Sequence, residues 1–160
     1  GILPNQAEII VPAYACPDLI SAIVFAGAIP VLVDISRDSP GYLIKELNTR
    51  LSDQTVAIIA INFLGIADQL SKIEIICRAH EVFLINDSAQ WFPASRVYKW
   101  TGDFNIISFG RGKPVSLLQG GAVIAGNPAR VVKENIQWFA NKKELEKGDG
   151  YFEALDGVNH

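Results

Sequence analysis

Apolar residues in this chain fall in short unbroken runs separated by polar or glycine-containing stretches, and the spacing of the runs predicts alternating strands and helices. Strands are expected at about 8–13, 31–34, 56–62, 82–86, 105–109 and 122–125, each rich in Val, Ile or Phe. The run Val82-Phe83-Leu84-Ile85 has no polar alternation, as expected of a strand covered on both faces of a parallel sheet. Pro17 and Asp18 open a predicted helix, Asp18 to Phe25, that stops at Gly27. Asp68 or Ser71 would cap a second helix ending near His80, with Ile73, Ile76 and Cys77 on one face. Asn127-Pro128 would start a last helix, 129–140, followed by a charged run from Lys142 to Asp149 that reads as a solvated tail or linker. This alternation predicts an α/β domain with a mostly parallel sheet between two helical layers.

Two strand ends carry candidate chemistry. Ser108-Phe109-Gly110-Arg111-Gly112-Lys113-Pro114 puts one lysine on a glycine-rich turn after an apolar run. Lysine held there, partly desolvated beside cationic Arg111, could have its ammonium destabilised enough to condense with a carbonyl compound. The same pattern also suits a plain surface turn. The 82–86 run ends in Asp87, and open parallel sheets bind ligands at the carboxyl ends of their strands, so Asp87 and Lys113 are expected on one edge. A carboxylate there can pair with a protonated pyridine nitrogen. It can equally cap the next turn. The Lys113 loop is not a nucleotide P-loop, because Ile107 stands at the first glycine position and Pro114 follows the lysine. No dinucleotide fingerprint follows the first strand, where the chain reads Pro-Ala-Tyr-Ala-Cys-Pro.

The chain resembles the DegT-type sugar-nucleotide aminotransferases, which are fold-type I pyridoxal phosphate (PLP) enzymes. The resemblance rests on ordered blocks: Glu8-Ile9-Ile10-Val11-Pro12-Ala13-Tyr14, Ala26 to Asp34, Asn62-Phe63-Leu64-Gly65, Asp87-Ser88-Ala89-Gln90, Gly102-Asp103 leading into Ser108-Phe109 and Lys113, and Gly120-Gly121. It implies a PLP-transferase large domain over residues 1–140 that lacks its first strand and the C-terminal small domain, with 141–160 as the tail. It further implies that Lys113 attaches the cofactor and shuttles a proton, that Asp87 pairs with the pyridine nitrogen, that Gln90 lies near the phenolic oxygen, and that Ser108 donates to the phosphate. Ala89 would pack on one ring face, and Cys16 stands where many members place an aromatic on the other. Asn62 and Gln119 depart from the family's usual His and Glu, whereas Lys113 argues against the branch that replaces the lysine by His.

The function implied is transfer of an amino group, with glutamate as donor, to a nucleotide-linked keto sugar in amino-sugar or polysaccharide biosynthesis, by a cytoplasmic homodimer. The competing class is a truncated or degenerate relative that folds without catalysing. Another fold-type I enzyme, a lyase or desulfurase, fits the ordered blocks less well.

Composition narrows the picture. At 160 residues and 49% hydrophobic, the chain is sized for one core. A net charge of −3 offers no general attraction to nucleic acid or an anionic membrane, so a small-molecule partner is expected. The apolar stretch from Leu19 to Val33 is too short to span a bilayer, and no basic-then-apolar leader is visible. Cys16 and Cys77 are too far apart for a redox or metal motif, and neither His80 nor His160 has neighbours at metal spacing. Trp91 and Trp100 flank the loop after Asp87 as packing residues or as cleft walls. The absence of Met suggests a piece of a longer protein.

Overall fold

The computed structural model describes residues 4–94 and 99–127. After a short 3-10 turn at Pro4–Gln6 come β1 (Glu8–Pro12), α1 (Pro17–Phe25), β2 (Ile29–Val33), α2 (Ile44–Arg50), β3 (Thr55–Ile61), α3 (Leu70–Ala79), β4 (Phe83–Asp87), β5 (Phe104–Ser108) and β6 (Gly121–Ala125). The expected helix 129–140 and the charged tail lie outside the described residues, which fall within the unit Gly1–Pro128.

The strands form one sheet in the order β2-β1-β3-β4-β5-β6, parallel except for β6, which runs antiparallel to β5. The expected mostly parallel α/β sheet is present. Strand alternation divides the core in two. On one face Ile10, Ile58, Ala60 and Leu84 pack against Leu47 of α2 and Leu70, Ile73 and Cys77 of α3. On the other, Val11, Ile59, Ile61 and Ile85 pack with Ile23, Leu19 and Ile20 of α1. Full burial of Ile58 and Leu84 is worth about 1.5–3 kcal/mol each. Helices on both faces make three layers, and among the described residues no helix is long and apolar enough to cross a membrane.

Local chemistry accounts for most boundaries. Pro17 occupies the first turn of α1, and Gly27 ends it at φ 79°, a conformation that suits glycine. The second helix cap differs from expectation: Asp68 precedes α3, but its carboxylate accepts from the amides of Tyr42 (3.3 Å) and Gln69 (2.6 Å) and so ties the α3 entry to the segment before α2. Ser71 lies inside α3, and His80 is its exposed C-cap. Cys77 is buried in the core as expected. Trp91 and Trp100 pack edge to face, with ring centroids 6.1 Å apart. The two-turn helix α2 was not anticipated, because Ile44–Arg50 turns only Leu47 fully inward and has no capping side chain at Leu43.

Candidate active site at the carboxyl edge

The chain leaves β1 for β2 on one side and returns to β3 on the other, so the carboxyl ends of β1 and β3 form a topological switch point, the usual ligand crevice of an open parallel sheet. Loops from β1, β3, β4 and β5 converge on that edge. Asp87 ends β4 on the same strand face as Ile85, which packs with the α1 cluster. Only 8% of its surface is exposed, and its Oδ1 accepts from the Ala89 amide at 2.9 Å. Oδ2 has no hydrogen-bond partner among the described residues. Burial raises the Asp87 pKa above its ordinary value, while the Ala89 amide and the nearby charge of Lys113 pull it down.

Lys113 is half-buried in the long connection from β5 to β6. The Phe109 amide donates to Gly120 O (2.9 Å) and the Leu117 amide to Phe109 O (2.8 Å), closing the base of that loop. Inside it the Lys113 amide donates to Gly110 O at 3.3 Å, and Gly112 takes φ 76°. Ser108 lies at the strand end, where its Oγ accepts from the Gly110 amide at 3.3 Å.

Gln90 and Lys113 line one open-sided cavity of about 520 Å³, together with Leu64, Arg111, Gly112 and Pro114. That volume lies within the range of small-molecule sites. Gln90 Oε1 accepts from the Leu64 amide at 2.8 Å, holding Leu64 at φ 51°, a strained conformation for a non-glycine residue. Cys16 is exposed at the N-terminus of α1; neither it nor Ala89 lines this cavity. A second depression, beside the start of α3, contains one carboxylate, Asp68, whose oxygens already accept backbone amides.

Beneath the site runs a polar ladder absent from the sequence-based expectations. Asn62 Nδ2 donates to Asn86 Oδ1 (3.1 Å) and Ser88 Oγ (2.8 Å), Asn86 Nδ2 donates to Asn105 Oδ1 (2.8 Å), and Asn105 Nδ2 reaches the Ile124 carbonyl at 3.5 Å. All three asparagines are buried, and Asn62 Oδ1 is unpaired. The signal was a lone Asn inside each of two apolar strands, Ile85-Asn86 and Phe104-Asn105-Ile106. Arg111 had been considered only as a neighbour of Lys113; its place in the cavity wall depends on the turn.

The family model for the DegT/DnrJ/EryC1/StrS aminotransferase family matches residues 2–160. GDP-perosamine synthase of Vibrio cholerae is 26% identical over 123 residues, which are 75% of this chain and 34% of that protein. The chain therefore spans about a third of the length of that curated relative. Among solved structures, an aminotransferase from Psychrobacter cryohalolentis superposes with TM-score 0.71 at 24% identity, over 78% of this chain and 33% of its own. The ntda protein of Bacillus subtilis, solved with the cofactor PMP bound, superposes with TM-score 0.71 at 22% identity, over 82% of this chain and 30% of its own.

Proposed function

Because the chain belongs to the DegT/DnrJ/EryC1/StrS aminotransferase family, we propose that it forms the cofactor-binding core of a pyridoxal phosphate-dependent aminotransferase. The substrate would be a nucleotide-linked keto sugar and the amino donor glutamate, within a cytoplasmic homodimer formed by the whole protein. The observation that carries the reading is the placing of Asp87 within electrostatic reach of Lys113 at the carboxyl edge. A desolvated carboxylate at the end of a central strand has one free oxygen and feels the charge of a lysine on the neighbouring strand's loop.

These residues fit the cofactor. A nearly buried carboxylate with Oδ2 unpaired suits a protonated ring nitrogen, which would hold Asp87 ionised against its desolvation. When bound, the cofactor supplies an electron sink for the carbon that loses its proton. Lys113 Nζ would hold the cofactor and, as the neutral amine, would serve as the base that moves a proton at the reacting carbon. Gln90 would lie near the phenolic oxygen, and Ser108 Oγ would donate to the phosphate. Ala89 would pack on one ring face, and Cys16 would border the other.

The test is an absorbance titration of the chain with PLP beside Lys113→Ala, followed by borohydride reduction and peptide mapping. A visible band that is lost in the variant, with the label on Lys113, is expected. No band, or a label on other lysines only, would refute the assignment for this chain.

A further inference from the structure

The cavity beside Lys113 holds a second cation that the chemistry above leaves unused. Arg111 and Lys113 line the same wall, separated only by Gly112, and no carboxylate lines the cavity among the described residues. The Lys113 charge acts on Asp87, but Arg111 has no hydrogen-bond or ion-pair partner among the described residues. The chain carries a net charge of −3, so two adjacent cations facing one cavity run against its overall balance.

The backbone fixes this arrangement. The bond from the Lys113 amide to Gly110 O and the left-handed Gly112 hold the turn, while Ser108 Oγ anchors the Gly110 amide at its base. Arg111 and Lys113 therefore leave one held turn two residues apart and both border the cavity. Leu64 and Pro114 supply apolar lining, and Leu64 is held in its strained conformation by Gln90.

We infer that Arg111 is the oxyanion-binding residue of this cavity, taking a carboxylate or phosphate group of the substrate while Lys113 reacts. The inference rests on the proposed function for the role given to Lys113. A lysine that must become neutral to react cannot serve as a permanent anion anchor. A guanidinium stays charged throughout the working pH range and offers two parallel N–H donors that match a carboxylate or a phosphate. The shared chemistry is an oxyanion close to the reacting carbon. An amino-acid donor carries it as a carboxylate, and a nucleotide-linked sugar carries it as a diphosphate.

The test is direct calorimetric titration of the 160-residue chain with glutarate and, separately, with inorganic pyrophosphate, in the absence of PLP. Arg111→Ala should weaken one or both by about ten- to a hundredfold, the loss expected for a charge-assisted hydrogen-bonding pair. Arg111→Lys should recover part of the binding, and Arg50→Ala, on the exposed last turn of α2, should leave it unchanged. Loss confined to glutarate assigns the group to the amino donor, and loss confined to pyrophosphate assigns it to the nucleotide sugar. Equal affinity in wild type and Arg111→Ala, or an equal loss in Arg50→Ala, would overturn the inference. So would an Arg111→Ala chain that keeps its oxyanion affinity but fails to take up PLP, since Arg111 would then serve the cofactor. A chain that gives no PLP band yet shows Arg111-dependent oxyanion binding would refute only the proposed function.

Discussion

Replacing Asn86 by Leu tests whether the buried amide ladder holds the floor of the site. Leu has the same number of side-chain heavy atoms and the same branching, so the change mainly exchanges two polar atoms for methyl groups. Two partners lose their bonds. Asn105 Oδ1, on a fully buried residue, loses its amide donor, and Asn62 Nδ2 keeps only Ser88 Oγ while its own Oδ1 is already unpaired. A buried polar atom left without a partner costs about 1–3 kcal/mol, which applies to Asn105 Oδ1, and the second bond lost by Asn62 Nδ2 adds about 0.5–1.5 kcal/mol, so the two together cost roughly 1.5–4.5 kcal/mol. Burial of the leucine side chain returns roughly 1.5–3 kcal/mol. At mid-range the balance is a destabilisation of about 1 kcal/mol. With a urea slope of about 1–3 kcal/mol/M, this moves the unfolding midpoint down by roughly 0.5 M, readable by circular dichroism. Asn86→Leu combined with Asn105→Leu removes donor and acceptor together, so the pair should be less destabilising than the sum of the single changes. An unchanged midpoint in Asn86→Leu, or strict additivity in the double variant, would refute the reasoning.

Asp87→Asn should separate stability from function. Burial raises the pKa of Asp87 in the folded chain above its unfolded value. Its contribution to stability is therefore fully present below the unfolded pKa and is lost as pH rises through the folded value. At neutral pH the ionised carboxylate opposes folding. The variant keeps an acceptor for the Ala89 amide, so it should melt higher than wild type at pH 7 while binding PLP more weakly; a lower melting temperature there would contradict the assignment. Tyr42→Phe removes the hydroxyl that donates to the Ile59 carbonyl at 2.6 Å in the fully buried core. Denaturant titration should show a loss of about 1–2 kcal/mol, and a neutral result would mean that the Ile59 carbonyl needs no second donor.

The sheet was legible because parallel strands buried on both faces leave continuous apolar runs, and each predicted strand lies within about two residues of an observed one at either end. The helices α1 and α3 were legible from Pro17 and Gly27 and from the one-sided spacing of Ile73 and Cys77. Helix α2 was not, since seven residues with one fully inward side chain leave almost no periodic signal. Asp68 was half legible. Its type and place announced a helix start, but the bond to Tyr42 spans 26 residues and depends on tertiary packing. The edge that carries Asp87 and Lys113 followed from strand ends, whereas Gln90 and Ser108 were singled out only by the family resemblance. The presence of Arg111 in the cavity wall, by contrast, depends on a turn whose hydrogen bonds no pattern of residue types encodes.

The ladder and the site are two consequences of one alternation. Asn86 and Asp87 are adjacent on β4 and so face opposite sides of the sheet. A register slip by one residue would turn the carboxylate toward Ile58, Ile73 and Cys77 and the amide toward the α1 face. An all-apolar strand would resist such a slip only through packing. Asn86 resists it through hydrogen bonds as well, because it meets Asn62 and Asn105 only in the observed register with β3 and β5. Asn86 is thus a positioning residue for Asp87, and the two should be coupled. In Asn86→Leu, the gain in melting temperature at pH 7 from Asp87→Asn should shrink, because a carboxylate no longer held in one register can relax toward water. An undiminished gain would mean that the ladder stabilises the sheet without orienting the acid.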